Sequence, residues 1–446
     1  MALLAGCKRD ELFGKGPGAE ASVTTPSGVQ SGLVSVVYTL TSDDVTQTDV
    51  GVTYSSDGNT FRRATEGDGG SGTENLAVSP GGTTHTFVWD SGADLEEARE
   101  TAVLIRVKPE DGVGDITSAI TVHNARYLCA VEDRAAGRVR LYRADVVDGS
   151  LRLIGSFDTE GADPYDVTYS SGFFLVAHES SSDVAVLQLD EGSETLLAVE
   201  GSPFRSDGPG ARYLTVGGGH VFVSNSGGGT ITVFNLDTSS GKLTLNTHSG
   251  VPAPGCRSLV TRSSRLYVAS ESTGGILIFD ISTDGELLPN GASPITTGGL
   301  ADPRALGFAS TRLYAANAAG TTICAFNFLG DGSLSPITGS PFTVSASGIE
   351  SLVRNGTKLL GATGAGGQLL SLSIDSFGAL SEDAGSPISL SGPSYTVASA
   401  GEVVIAGTTT SRELLSWTID TAGALADTDS SPEDAGVEIL RIALSN

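Results

Sequence analysis

At 446 residues the chain exceeds one ordinary domain, and 39% hydrophobic residues, 59 glycines and only 17% charged residues fit an all-β protein with many tight turns. Its net charge of −26, from 52 acidic residues against 26 basic ones, repels nucleic-acid phosphate and anionic lipid headgroups and argues against both as main partners. The acidic excess reads as a solvated surface, and positive charge is scarce enough that clustered arginine is informative.

In chain order, Leu4-Ala5-Gly6-Cys7 resembles the lipobox of bacterial lipoproteins, in which the cysteine is acylated and becomes the new N-terminus. Lys8, Arg9, Asp10 and Glu11 and a Gly/Pro/Ala stretch follow, as a tether requires, so residues 1–19 read as a lipobox-like segment and flexible tether. Only three residues precede the box, so a basic region and a full apolar region do not stand before it. No run approaches the roughly 18 to 20 apolar residues of a membrane span. The expectation is an exported, cell-envelope protein lipidated at Cys7 and touching the membrane only through that anchor.

Residues 20–124 read as about seven short strands separated by turn signals. Leu33 to Leu40 shows apolar alternation around Val34, Val37 and Tyr38, and Val50 to Tyr54 alternates into the hairpin-type turn Ser55-Ser56-Asp57-Gly58. Thr86-Phe87-Val88-Trp89 supplies a core aromatic, and Val103 to Val107 and Ile116 to Val122 complete the set. The polar stretch Ala93 to Glu100 reads as a loop or a single turn. This predicts a two-sheet β-sandwich similar to fibronectin type III or immunoglobulin-like modules, though without a cysteine pair. Such a unit suits a spacer or an adhesive role with a protein partner, and no chemistry is assigned to it.

From Tyr127 onward one motif recurs seven times: an anchor strand, a polar gap, a second apolar strand, then, in all copies but the second, Gly-x-Leu. The anchors are Leu128, Leu175, Phe222, Tyr267, Tyr314, Leu360 and Val404, spaced by 47, 47, 45, 47, 46 and 44 residues. A strand-only repeat of this length predicts a β-propeller. Each repeat carries four strand candidates, with aspartates at the third strand's end (Asp190, Asp237, Asp375, Asp420) that read as turn-formers and not as metal ligands. Repeat one starts at its second strand, while Gly436 to Leu444 is an orphan inner strand. Placed beside Tyr127 to Val131, it would close residues 126–446 into seven complete blades and remove an open sheet edge. Cys129 and Cys324 fall in strand-like runs, Cys256 falls at a strand start where partial exposure is expected, and no spacing suggests a disulfide.

Leu313-Tyr314-Ala315-Ala316-Asn317, followed by Ala325-Phe326-Asn327, Gly332-Ser333-Leu334 and Gly339-Ser340-Pro341-Phe342, resembles the seven-bladed lactonase family. That family includes 6-phosphogluconolactonase and the muconate cycloisomerases, and the resemblance covers about residues 126 to 446. It implies the propeller fold and, more weakly, hydrolysis of a lactone without a cofactor; a fold does not by itself determine function.

The repeat also supplies a register. Ten residues before each anchor, at the start of each inner strand, stand Tyr165, Arg212, Arg257, Arg304, Glu350 and Ser394, with Glu438 on the closing strand. These would ring one mouth of the central channel. The next strand ends at the same mouth, contributing His178, Asn225, Ser270, Asn317 and Thr363, then Glu132, Glu179 and Glu271. Converging guanidiniums would hold a carboxylate or phosphate and stabilise the oxyanion formed when water attacks a lactone carbonyl. Glu350 or His178 would serve as general base. The resemblance implies a His, Arg and Glu constellation at this mouth, matched here by residue type and place.

The same residues admit a second reading, in which the arginines pair with Glu350, Glu438 and neighbouring carboxylates as clasps between blades and His178 is a hydrogen-bonded strand-end histidine. No Gly-x-Ser-x-Gly elbow exists, Gly217-Gly218-Gly219 and Gly227-Gly228-Gly229 precede no helix, and no cluster has transition-metal spacing. A channel Ca²⁺ held by Asn225, Asn317 and glutamates is disfavoured by seven blades and the arginine ring. The expected function is a lactonase-like hydrolase of an anionic sugar lactone or related cyclic ester; the alternative is a non-catalytic surface lipoprotein that binds a protein or glycan.

Overall fold

The computed structural model describes residues 18–445 apart from 28, 31–32, 68–69, 96–98, 124–125, 132–135, 146–148, 310, 318–319, 421 and 429–430. Cys7, most of the expected tether and Glu132 lie outside the described residues. The chain divides into two compact units, residues 1–125 and 126–445.

The first unit is a β-sandwich. One sheet orders Glu20–Val23, Leu33–Thr41 and Thr83–Asp90. The other is built on Ile120–His123, Arg99–Pro109 and Val50–Ser55, with the two-residue strands Val29–Gln30 and Arg62–Arg63 at its edges. Strict period-two alternation buries Val34, Val36, Tyr38 and Leu40 against Trp89, Val52, Ile105 and Val107. The expected inward residue Val37 is instead 37% exposed, because adjacent side chains on a strand cannot share a face. A single helical turn, Ser91–Leu95, brings Asp94 under the core, where Trp89 Nε1 donates to its carboxylate at 2.6 Å and Thr65 Oγ1 at 2.7 Å.

The second unit is a seven-bladed propeller. In the blade of the second repeat the strands run Pro164–Ser170, Phe173–His178, Asp183–Asp190 and Thr195–Ala198, each antiparallel to the last. Successive inner strands neighbour one another around the ring, and Ile442–Leu444 neighbours both Thr396–Ala400 and Pro164–Ser170. That C-terminal strand pairs with Arg126–Val131 (Leu128 with Leu444, Ala130 with Ile442), so the first blade is built from both ends of the unit. Apolar side chains weld the closure: Leu128, Ala130 and Tyr142 pack with Ile405, Leu414 and Ile439. Burial of this kind contributes about 25 cal/mol per Å², so the seam is held by the same force as the other blade contacts.

The repeat's residues have separable jobs. Gly332 and Gly378, of the Gly-x-Leu motif, sit at φ of 86° and 87°, where only glycine is unstrained. Their carbonyls accept the hydroxyls of Tyr267 and Tyr314 from the preceding blade at 3.1 and 2.9 Å. The serine of each Ser-Pro loop accepts a third-strand N–H, as in Ala325 N to Ser340 Oγ at 3.0 Å. Asp237 accepts the hydroxyl and N–H of Ser239 and the hydroxyl of Ser240, which hold its carboxyl down to about 2. Cys129, Cys256 and Cys324 are all buried; Cys256, expected to be partly open, is 1% exposed because it pairs with Ser270 in the sheet.

Candidate functional site

In five consecutive blades the ladder slips at the second residue of the inner strand. The slips fall between Pro164 and Asp166, Ala211 and Tyr213, Cys256 and Leu259, Pro303 and Ala305, and Ile349 and Ser351. A bulge re-aims the side chain it carries, and the residues so placed are Tyr165, Arg212, Arg257, Arg304 and Glu350. In the last blade, where Thr396 pairs with Gly407, the same place falls to Tyr395, one residue after Ser394. On the closing strand, where Ile442 pairs with Ala130, it falls to Arg441. Glu438 lies in the non-strand segment three residues earlier. In the last blade Val403 pairs with Ala400 as His220 pairs with Gly217, so the residue matching the anchor Phe222 is Ile405 and not Val404, while no anchor follows the closing strand and only its pairing places it.

Four arginines therefore share the ring, and each meets a carboxylate. Arg257 Nη2 donates to Glu271 at 2.7 Å, Arg304 Nε to the other oxygen of Glu271 at 3.0 Å, and Arg304 Nη1 to Glu350 at 2.6 Å. Arg212 lies 3.3 Å from Glu179, with its guanidinium 4.2 Å over the Tyr165 ring. Arg441 lies 4.0 Å from Asp166 and 3.5 Å from the Glu350 carbonyl oxygen. Tyr165 and Tyr213 meet edge to face, their hydroxyls 3.4 Å apart. Tyr395 approaches Glu350 over Gly364, where an added Cβ would come within 2.8 Å of the tyrosine ring and 3.0 Å of Glu350 Cγ.

Exposure separates two levels. The side chains of Arg212, Arg257 and Arg304 are 21%, 21% and 35% exposed, so these guanidiniums remain open to a ligand. Tyr213 and Arg441 sit deeper, 8% and 6% exposed, and Asp166, with its side chain 18% exposed, lies between the two. Burial raises the Asp166 carboxyl, with Arg441 and the N–H groups of Leu214 and Val167 opposing it, and burial likewise raises the Tyr213 phenol. Burial also works to raise Glu271, but its two guanidinium partners outweigh that and hold the carboxyl below its usual range.

His178 does not join this cluster. It is fully buried, with Nδ1 2.7 Å from Asp183 and Nε2 2.7 Å from Thr159 Oγ1, so neither ring nitrogen faces the channel. Asn225 and Asn317 are buried in the same way. Asn225 bonds Ser206, Thr230 and Thr232, and Asn317 bonds the backbone of Ala301 and Gly299 and the hydroxyl of Thr322. Ser270, Thr363 and Thr408 repeat the arrangement. The strand-end position is a buried polar knot that ties each blade's loops, because a polar group removed from water must find a partner. The expected general-base role of His178 and ligand roles of Asn225 and Asn317 lack a channel-facing atom.

Asp166, Tyr213, Tyr395 and Arg441 were missed. Arg441 carried a signal, as the one basic residue within the mainly apolar run from Val437 to Leu444; Asp166 adjoins the ring residue Tyr165. Among the described residues no group of three histidine, cysteine or acidic side chains is placed to hold a metal ion, and no helix is long and apolar enough to cross a membrane.

No protein-family model matches the chain, and no curated protein matches it in sequence. Among solved structures, a candidate 6-phosphogluconolactonase of Bacteroides fragilis superposes with a TM-score of 0.62 at 18% identity, over 72% of this chain and 98% of that one. A Lactobacillus plantarum protein gives 0.60 at 16% identity, over 72% and 99%. The periplasmic gluconolactonase of Pseudomonas aeruginosa gives 0.57 at 17% identity, over 70% and 98%. At these identities the likeness is one of fold: a lactonase-like seven-bladed propeller.

Proposed function

We propose that the propeller binds and hydrolyses an anionic sugar lactone or a related cyclic ester at the arginine-lined end of its channel. The observation that carries this reading is the partly exposed chain Arg257–Glu271–Arg304–Glu350, which sets two guanidiniums and two carboxylates within hydrogen-bonding distance on one ring. Guanidiniums so placed stabilise the oxyanion of a tetrahedral intermediate, and Glu350 is positioned to take a proton from the attacking water. Water adds to the carbonyl carbon, its proton passes to Glu350, the ring C–O bond breaks, and the departing alkoxide takes the proton back. Similarity in fold to a 6-phosphogluconolactonase candidate and to a periplasmic gluconolactonase supports the reaction class.

The proposal extends to location and to the sandwich. Leu4-Ala5-Gly6-Cys7 supports export and lipid anchoring through Cys7, and the periplasmic setting of the Pseudomonas aeruginosa protein agrees with export. The sandwich is then a fibronectin- or immunoglobulin-like spacer or adhesive module with a protein partner. A second reading has a specific observation behind it: Arg212, Arg304 and Arg441 each already face a carboxylate of a neighbouring blade, as inter-blade clasps in a non-catalytic glycan- or protein-binding propeller would.

A hydrolysis panel of neutral, phosphorylated and carboxylated lactones on the purified chain separates the two. Turnover lost in Glu350→Gln with folding intact supports the hydrolase; no turnover above background, with Arg257→Ala altering stability alone, supports the clasp.

A further inference from the structure

The ring's four arginines are not equivalent. Arg257 and Arg304 are partly exposed and hydrogen-bonded to carboxylates, and Arg212, whose buried Nε also lacks an acceptor, is 21% exposed and 3.3 Å from Glu179; Arg441 is only 6% exposed and poorly satisfied. A guanidinium has five N–H donors. Here Nη1 reaches one carbonyl oxygen at 3.5 Å, and buried Nε has no acceptor, with Asp166 Oδ1 stopping 4.0 Å away. The rings of Tyr213 and Tyr165 lie at 5.5 and 5.9 Å, and the Glu350 carboxylate also acts on Arg441 through its charge. A cation taken out of water with its hydrogen bonds unmade is costly unless something completes it. Oδ2 of Asp166 accepts the Leu214 N–H at 3.1 Å, which holds the carboxylate in place with its Oδ1 short of Arg441.

We infer that Arg441 anchors a single carboxylate group of the ligand, so that the substrate class is a carboxylated sugar lactone and not a phosphorylated one. This rests on the proposed function above for the word substrate, but not for the binding. A carboxylate matches the planar guanidinium edge with two parallel hydrogen bonds, and the paired hydroxyls of Tyr165 and Tyr213 offer a third donor. Asp166 sets the charge limit: it neutralises Arg441 in the empty protein and repels a second negative charge, which disfavours a phosphate dianion. The anchor adjoins the closing strand, so it joins the ring only when that strand pairs with Arg126–Val131.

Calorimetric titration of the whole chain with D-galacturonate, an unreactive monocarboxylate, and with inorganic phosphate tests this. The wild type is expected to bind galacturonate at least about tenfold more tightly than phosphate, and Arg441→Gln to lose at least about tenfold for galacturonate alone. Arg441→Gln could fail to fold, so Asp166→Asn, which keeps the acceptor for Leu214, provides the second arm. It should tighten galacturonate severalfold and narrow the gap to phosphate. No galacturonate binding, a preference for phosphate, unchanged binding in Arg441→Gln, or weaker binding of both ligands in Asp166→Asn overturns the anchor. Galacturonate binding lost with Arg441 in a protein that opens no lactone supports the anchor and sinks the hydrolase. Lactone turnover indifferent to Arg441→Gln does the reverse.

Discussion

Arg304 Nη1 donates to Glu350 Oε1 at 2.6 Å across 46 residues of sequence, joining the bulges of two adjacent blades. Its Nε holds Glu271 at 3.0 Å, so one side chain orients both the candidate general base Glu350 and the carboxylate that pairs with Arg257. The pairs are partly exposed, and pairs of that kind contribute little to folding; their geometry is worth more to a bound transition state than to the empty fold.

Arg304→Ala should therefore lower kcat/KM for a hydrolysed lactone by about 100-fold while changing unfolding free energy by less than about 1 kcal/mol. Steady-state kinetics beside urea denaturation check this. A large stability loss with kcat/KM unmoved would assign Arg304 to a clasp.

His178→Ala should do the opposite. Removing a fully buried ring strands Asp183 and Thr159, so a loss of about 2 to 3 kcal/mol in stability is expected, with kcat unaffected in the fraction that stays folded. Denaturation midpoints and active-fraction-corrected rates measure both quantities.

Glu271 gives the propeller an acid-side dependence. Its folded carboxyl titrates below the unfolded value, so its contribution is fully present above the ordinary carboxylate range and is lost as pH falls through the lower folded value. Glu271→Gln should lower stability at neutral pH and flatten its fall from about pH 5 to 3. Thermal melts across that range report it; parallel curves for the two proteins would count against the assignment.

Gly332→Ala should cost more than Gly385→Ala. Both glycines have φ near 87°, but a Cβ at Gly332 would lie 1.8 Å from Arg265 Nε, whereas at Gly385 nothing stands within 4 Å. Backbone strain alone accounts for about 1 kcal/mol, and the clash with the neighbouring blade adds to it. Equal melting-temperature shifts would remove the inter-blade role of the Gly-x-Leu glycine.

The propeller was legible because each blade repeats one set of local needs. A positive-φ glycine, an Asp turn and an anchor strand recur at a nearly constant spacing, and an unpaired C-terminal strand implied closure. The ring of Tyr165, Arg212, Arg257, Arg304 and Glu350 followed from that spacing. It slipped at Ser394, where the ladder puts Ile405 and not Val404 level with the other anchors, and at Glu438, which no anchor follows; side-chain placement depends on ladder pairing, which counting residues does not report. Arg441 and Tyr395 became visible only once Ile442 was paired with Ala130 and Thr396 with Gly407.

Sequence alone determined that the second unit is a closed ring of blades and which residue types gather near one end of its channel, since periodic backbone demands are local and repeat in every blade. The tertiary structure decided which of those residues meet. It buried His178, Asn225 and Asn317 in strand-end knots, coupled Arg257 to Glu350 through Glu271 and Arg304, and left Arg441 short of acceptors. Hydrogen bonding and desolvation act over a few ångströms between residues far apart in the chain, so those distances exist only in the folded ring.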